Sequence, residues 1–271
     1  MALMEVKFFA ETLGMCTSCY VILPQKKQGI GVEGSKIQKD RYPVLYLLHG
    51  ASDDHTIWLR RTSIERYVSS MGLAVVMPEV LLSRYENMVH GPRYQDFIVE
   101  ELPKVMESFF RISGKREDKY IAGLSMGGMG SLKIGLQHPD KYNAVGILSS
   151  GNLFYRRDRG SALARGRASG GAPIMEAVYG TSDLSKLQKS EWDPFVLGEK
   201  NLAAGIKMPR FFHACGTEDF LIDAARITKQ WFEDHPDITY EYHEGPGAHT
   251  WAFWDEWIQA YLEFIREDLE M

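Results

Sequence analysis

A serine surrounded by glycines is the first residue of this sequence whose setting suggests chemistry. Ser125 lies in Gly123-Leu-Ser-Met-Gly127, within the stretch IAGLSMGGMG at 121–130. Glycine tolerates positive φ and close backbone approach, but in a strand or helix interior it costs about 0.5–1 kcal/mol relative to alanine. The pattern Gly-x-Ser-x-Gly is typical of a sharp strand-to-helix turn that exposes a nucleophilic serine. An ordinary glycine-rich loop is the alternative, so the rest of the chain must decide.

A serine hydroxyl becomes a good nucleophile only when a base takes its proton and an acid holds that base in the right tautomer. Two residues in loops after predicted strands fit these roles. Asp219 lies in CGTEDF after the strand RFFHAC, and His249 lies in GPGAHTW after the strand ITYEYH. Glu218 and Asp223 are the competing acids, and Asp223 is also a plausible capping residue of the helix that follows. We therefore expect Asp219 and His249 to complete the site of Ser125.

A serine nucleophile that attacks a carbonyl also needs an oxyanion hole, in which two backbone N–H groups are directed at the developing negative charge. Met126, the residue after the serine, should supply one at the start of its helix, where the helix dipole also favours an anion. Ala51, in the loop after the strand that ends LLHG, is the best candidate for the second. The neighbouring Asp53, Asp54 and His55 resemble metal ligands by type, but three adjacent residues seldom converge on one ion. We therefore expect an exposed polar loop there, and neither a metal nor an organic cofactor.

Substrate selectivity is the part of the function about which the sequence says least. Trp58 and Trp251 flank the proposed oxyanion loop and base, so they could form aromatic walls of a small acyl site, although two core tryptophans are an equal alternative. Such a site should accept acetyl to butyryl groups and reject long chains. Five arginines in 156–167 should form a cationic face outside this acyl site that could steer an anionic leaving group.

Strands alternate with helices along most of the chain, which favours an α/β fold with a mostly parallel sheet covered on both faces. Strands are predicted at 3–10, 17–24, 43–50, 73–78, 119–124, 144–150, 210–215 and 238–243, the first two antiparallel, and the short continuous apolar run at 43–50 is typical of a buried parallel strand. Helices are expected at 63–71, 95–110, 126–137, 222–234 and 251–267, with Pro103 kinking or interrupting the second. We expect a single domain over 1–271, in which 152–200 forms a cap insertion.

Composition narrows the class of protein further. The 271-residue chain has 31 basic and 36 acidic residues, a formal charge of −5, which argues against nucleic acid as a partner. No apolar run is long enough for a membrane helix, and the first residues do not form a signal peptide. Three cysteines suit a reducing compartment better than a disulfide framework, and Cys16 and Cys19 lack the partners of a zinc site. These features predict a cytoplasmic globular protein, with a homo-oligomer left open.

Four blocks of the sequence resemble the esterase D / tributyrin esterase branch of the α/β-hydrolases, which includes feruloyl and acetyl esterases. They are LYLLHGASDDHTIWLRRT, IAGLSMGGMGSLKIGLQHPDKYNAVGILS, CGTEDFL and GAHTWAFWDEWI, in that order. The resemblance implies an α/β-hydrolase fold and a serine carboxylesterase acting on small-molecule esters. It further implies Ser125, Asp219 and His249 as triad, and the amides of Ala51 and Met126 as oxyanion hole.

Three alternatives to a short-chain carboxylesterase stay open at this point. A thioester hydrolase of the S-formylglutathione hydrolase kind and an acyltransferase would use the same triad. The form Gly-x-His-x-Trp-x-x-Trp at 247–254 looks more like the tributyrin and feruloyl esterases than the formylglutathione hydrolases. The third alternative is a catalytically silent hydrolase-like binding protein, which the intact set of Ser, Asp and His argues against.

Overall fold

The sheet that carries the site has eight strands in the order β1-β2-β4-β3-β5-β6-β7-β8. The computed structural model describes residues 1–26, 29–30, 34–35, 39–155 and 171–270. The strands are β1 (Ala2–Ala10), β2 (Met15–Leu23), β3 (Val44–Leu48), β4 (Ala74–Pro78), β5 (Lys119–Leu124), β6 (Ala144–Leu148), β7 (Arg210–Gly216) and β8 (Tyr240–Gly245). β1 and β2 form an antiparallel hairpin, and β2 is antiparallel to β4. All other neighbours are parallel, which confirms the predicted sheet.

The central strands are apolar along their whole length because both faces of the sheet are covered. In β3 the alternation of side chains divides the strand between two hydrophobic clusters: Val44, Tyr46 and Leu48 lie in one, and Leu45 and Leu47 lie in the other. Each face is covered by helices that supply the remaining apolar side chains of its cluster. The sheet is therefore a rigid middle layer, and the loops at the carboxyl ends of its parallel strands lie together at one edge.

The helices follow the predicted alternation with the strands. They are α1 (Ile57–Arg61), α2 (Ile64–Tyr67), α3 (Tyr94–Asp96), α4 (Leu102–Phe109), α5 (Met126–Gln137), α6 (Gly171–Tyr179), α7 (Pro194–Ala203), α8 (Ile222–Glu233), α9 (Trp251–Phe264) and α10 (Arg266–Glu270). α5 packs against β5 and β6, with its buried side chains in the cluster on one face. α9 contacts β6 and β7 and contributes to the cluster on the other face.

Pro103 interrupts the predicted helix at 95–110, as expected. A π-helical turn over Phe97–Glu101 separates α3 from α4, and Pro103 occupies the first turn of α4. Proline has no N–H to donate, so it is tolerated where a helix begins and disrupts the regular hydrogen bonding before it. The helix predicted at 63–71 is shorter, since α2 ends at Tyr67, and α1 was not predicted.

The described parts of 152–200 pack on the same face of the sheet as α5. α7 lies against α5, and α6 contributes Met175, Val178 and Tyr179 to the same hydrophobic cluster. The interpretation of this insertion as a cap over the site stays a prediction. The arginines predicted to form a cationic face, at 156–167, lie outside the described residues.

Candidate active site

Ser125 occupies a strained turn between β5 and α5. Its φ is 52° and its ψ is −112°, a combination that a non-glycine residue keeps only where its surroundings enforce it. The Ser125 amide donates to the carbonyl oxygen of Leu148 on β6, at 2.9 Å. A Cβ on Gly123 would lie 2.5 Å from the carbonyl carbon of Gly127. The glycines of the motif are therefore required by the close approach of the strand and the helix around the serine.

The three residues proposed from the sequence meet in one chain of hydrogen bonds. Nε2 of His249 lies 2.9 Å from Oγ of Ser125. Nδ1 of His249 lies 3.0 and 2.9 Å from the two carboxylate oxygens of Asp219. The Asp219 side chain is fully buried and that of His249 is 17% exposed. A buried carboxylate thus holds the imidazole, and the imidazole itself remains partly exposed.

The competing acids have other positions. Asp223 is exposed in the first turn of α8. Glu218 accepts a hydrogen bond from the Gly247 amide at 2.5 Å, and its own amide donates to the Gly247 carbonyl. The Gly247 amide and the Thr217 hydroxyl lower the pKa of Glu218 below its usual range. Glu218 therefore joins the acid loop to the base loop, a role that the sequence did not suggest.

The predicted oxyanion loop lies beside the nucleophile. A Cβ on Gly127 would lie 2.7 Å from the carbonyl oxygens of both Leu48 and His49, so the end of β3 rests on the start of α5. A Cβ on Gly50 would lie 3.7 Å from Cβ of Ser125. Within the described parts of the chain, no backbone acceptor is bonded to the amides of Ala51 or Met126. The assignment of these two amides to an oxyanion hole stays a prediction.

Hydrogen bonds from Tyr85 and Glu79 hold the backbone on either side of this loop. The Tyr85 hydroxyl donates to the His49 carbonyl at 2.9 Å. Glu79, after β4, accepts from the amide of His55 and pairs with its Nδ1 at 3.1 Å. Burial alone would raise the pKa of Glu79, but the His49 and His55 side chains and the Leu81 amide hold it well below its usual range. His55 is therefore part of a local carboxylate pair that shapes the loop.

The two tryptophans proposed as walls of the acyl site differ in position. Trp58 is 1% exposed, and its indole N–H donates to the Leu48 carbonyl at 3.0 Å. This position favours the core alternative for Trp58, because a side chain without accessible surface cannot touch a substrate. Trp251 is half-buried and packs edge-on against Trp58 and Trp254, with centroids 5.2 and 5.1 Å away. Contact of Trp251 with a substrate stays a prediction.

Phe220, which the sequence analysis missed, lies against His249, the predicted base. Its ring centroid is 4.4 Å from that of His249, and the side chain is 41% exposed. Its position directly after the predicted acid Asp219 is the sequence signal that could have identified it. Phe220 therefore presents an apolar surface at the opening of the site.

No helix in the described ranges is long and apolar enough to cross a membrane. The same ranges contain no cluster of His, Cys, Asp and Glu that could hold a metal ion. Cys16, Cys19 and Cys215 are free thiols.

The fold and the site together define a serine hydrolase with the α/β-hydrolase fold. A mostly parallel eight-stranded sheet carries a serine at the strand-to-helix turn after β5. A family model described as "Putative esterase" matches residues 12–265. The chain belongs to this esterase family and is a serine-type carboxylic ester hydrolase, as the sequence resemblance implied.

Relatives and solved structures match the chain from end to end. It is 31% identical to an acetyl esterase of Caldicellulosiruptor saccharolyticus, with 98% of each chain covered. It is similar to the fluorophosphonate-binding serine hydrolase FphF of Staphylococcus aureus, at 31% identity and a TM-score of 0.81, again over 98% of both chains. An S-formylglutathione hydrolase from Staphylococcus aureus gives 30% identity and a TM-score of 0.79 over the same shares.

Proposed function

We propose that this enzyme hydrolyses short-chain carboxylic esters through an acyl-enzyme formed on Ser125. This proposal rests on the continuous hydrogen-bonded chain from Ser125 Oγ through His249 to Asp219. The likeness to an acetyl esterase over nearly the whole chain supports a small acyl group.

In the first half of the reaction, Ser125 Oγ attacks the ester carbonyl carbon as its proton passes to Nε2 of His249. The carbonyl oxygen becomes an oxyanion, which accepts hydrogen bonds from the amides of Ala51 and Met126. Asp219 keeps Nδ1 protonated and stabilises the imidazolium. When the tetrahedral intermediate collapses, the alcohol leaves with the proton from His249, and the acyl group remains on Ser125.

In the second half, a water molecule replaces the alcohol. His249 takes one proton from the water while the water oxygen attacks the acyl carbon. The same two amides bind the second oxyanion. Collapse breaks the bond to Ser125 Oγ, which regains the proton. The products are a carboxylic acid and the free enzyme, with no metal or organic cofactor in either half.

A labelling experiment tests this proposal directly. Hydrolysis of p-nitrophenyl acetate should be abolished by a serine-reactive fluorophosphonate, and mass spectrometry should place the adduct on Ser125. The Ser125→Ala variant should show neither turnover nor labelling. Turnover without labelling of Ser125 would contradict the assigned nucleophile.

A chain-length series tests the size of the acyl site. A confined site should hydrolyse acetyl to butyryl esters and reject long ones, because extra methylenes would clash or lie in water. Those methylenes would then not gain the roughly 0.8 kcal/mol each that burial provides. Faster hydrolysis of decanoyl than of butyryl esters would contradict a small acyl site.

Thioester hydrolysis is the second candidate, and the similarity to an S-formylglutathione hydrolase supports it. The triad chemistry is the same, with a thiolate leaving in place of an alkoxide. Comparing kcat/KM for S-formylglutathione with that for p-nitrophenyl acetate distinguishes the two. A much higher kcat/KM for the thioester would make thioester hydrolysis, rather than carboxylic ester hydrolysis, the proposed activity. Acyl transfer would appear as a new ester when an alcohol is added as acceptor.

We also propose a cytoplasmic location. Its support is the three free cysteines, because unpaired thiols suit a reducing compartment. Fractionation of the source cells with an antibody against the protein would test it.

A further inference from the structure

The edge strand β1 has features of an interface that the esterase activity does not explain. Among the described residues, β1 pairs only with β2, so one of its edges carries unpaired backbone groups over nine residues. Such an edge is a ready template for another strand, and proteins usually protect it with charged side chains, proline, a bulge or a cover. The sequence ALMEVKFFA of β1 contains no proline.

Side chains on the exposed face of β1 form a short row with apolar ends and a charged middle. Leu3 and Phe9 are 44% and 59% exposed. Between them lie Glu5 and Lys7, with side chains 41% and 70% exposed and paired with each other at 3.2 Å. Read in either direction, the row is apolar, charged, charged and apolar, with the two charges opposite in sign.

We propose that β1 pairs with β1 of a second copy of this chain, antiparallel about a two-fold axis at Val6. In this register Glu5 lies opposite Lys7 of the other copy and Lys7 opposite its Glu5. Leu3 lies opposite Phe9, and both pairs occur twice because the contact is isologous. Opposite charges and apolar pairs directly across an antiparallel ladder are stabilising. The two sheets then join into one continuous sheet.

The charges of Glu5 and Lys7 favour this register over registers shifted by two residues. A shift by two residues in one direction places Glu5 opposite Glu5, and in the other direction it places Lys7 opposite Lys7. Like charges directly opposite each other are destabilising. A shift by one residue would place the exposed face of one sheet beside the helix-covered face of the other. The register centred at Val6 is the one that pairs every charge with its opposite.

The other face of β1 supports the same contact. Met4, Val6 and Phe8 point toward the helical layer but are only half-buried, because that layer ends at the edge of the sheet. Phe109 on α4 lies beside Phe8, with ring centroids 6.5 Å apart, and is 55% exposed. In the dimer, the same row of the second copy would continue this apolar surface.

Charge reversal combined with mixing tests the proposal. Sedimentation equilibrium over roughly 1–100 µM protein should show a wild-type dimer. Glu5→Lys and Lys7→Glu should each weaken it by about tenfold or more, because both cross-strand ion pairs become repulsive. The double variant Glu5→Lys/Lys7→Glu should dimerise like the wild type. Equal amounts of the two single variants, when mixed, should form a heterodimer, because one row is then wholly positive and the other wholly negative.

The control is Glu233→Lys, which changes the net charge by the same amount as Glu5→Lys. Glu233 lies on α8, where it forms an exposed ion pair with Lys229. It should leave the dimer unchanged. β2, β4 and β3 separate β1 from β5, so all variants should retain p-nitrophenyl acetate hydrolysis, and this activity reports correct folding. A monomeric wild type at every concentration would overturn the proposal. So would a dimer that neither single variant weakens, or single variants that fail to associate when mixed.

Discussion

At the scale of single residues, the site depends on an aligned set of side chains from three loops. Ser125 follows β5, Asp219 follows β7 and His249 follows β8. His249 bridges the other two, with one ring nitrogen toward each. An imidazole held in this way has a defined tautomer, so removing any member disables the same step.

The first prediction follows from that shared step. Ser125→Ala and His249→Ala should each lower kcat on p-nitrophenyl acetate by about 10⁴–10⁶, and the double variant should be little worse than either. Asp219→Asn should lower kcat by up to roughly 10⁴ through the wrong imidazole tautomer. Asp223→Asn is the matched control and should leave kcat unchanged. Losses that add in the double variant, or a damaging Asp223→Asn, would contradict the assignment.

A second prediction concerns Trp58, which positions backbone beneath the oxyanion loop. Trp58→Phe keeps an aromatic ring but removes the donor to the Leu48 carbonyl. Losing a buried hydrogen bond should cost about 1–3 kcal/mol of unfolding free energy. Because the Leu48 carbonyl lies three residues before Ala51, kcat should fall about tenfold through misplacement of the oxyanion donor. The ratio of acetyl to butyryl hydrolysis should stay at its wild-type value.

The variant to compare with Trp58→Phe is Trp251→Phe, which changes the half-buried tryptophan. If Trp251 lines the acyl site, this change should alter the acetyl-to-butyryl ratio. A shift of that ratio in Trp58→Phe instead would show that Trp58 reaches the substrate after all. Steady-state kinetics on the three proteins, with urea unfolding as the stability measure, separates the two roles.

At the scale of elements, the turn between β5 and α5 depends on how closely the backbone of β3 approaches it. Gly127→Ala would place a methyl group 2.7 Å from two carbonyl oxygens of β3 and its loop. Backbone atoms cannot move aside as a flexible side chain can, so we expect a loss of about 1–3 kcal/mol in unfolding free energy. Activity should fall as well, because the same backbone leads into the oxyanion loop.

Gly245→Ala provides the control for Gly127→Ala. Gly245 ends β8, and a Cβ there would meet nothing within 4 Å. Urea unfolding and p-nitrophenyl acetate kinetics should show this variant to be near wild type. Equal destabilisation by both changes would contradict steric contact with β3 as the cause, because alanine in place of glycine at an uncrowded position is not by itself destabilising.

The central strands β3 to β7 could be predicted because each is a short apolar run, as burial on both faces of the sheet requires. The positions of Ser125, Asp219 and His249 could be predicted because parallel strands bring their carboxyl ends to one edge. The roles of Glu218 and Glu79 could not, since each depends on which loop lies opposite in space. The sequence also could not decide whether Trp58 is buried, because α1 is only five residues long and shows no clear helical period.

At the scale of the whole molecule, a buried ion pair connects the insertion to the helix that carries the nucleophile. Lys133 on α5 lies 2.5 and 2.6 Å from the two carboxylate oxygens of Glu86. Their side chains are only 5% and 2% exposed. From the insertion, Tyr179 donates to Glu86, and the Trp192 ring faces the Lys133 ammonium at 4.9 Å. The insertion thus packs on a pair of charged side chains that is almost completely buried.

The last prediction concerns this pair, whose two charges compensate each other only when both are present. Glu86→Gln leaves the Lys133 charge buried without a counter-ion and should lower the unfolding free energy by about 3–5 kcal/mol. Glu86→Gln/Lys133→Met removes both charges and should recover most of that loss, since replacing a buried pair is often neutral. Urea unfolding of the wild type and both variants measures the difference. A double variant less stable than Glu86→Gln would show that Lys133 stabilises the insertion through Trp192 rather than through the Glu86 carboxylate.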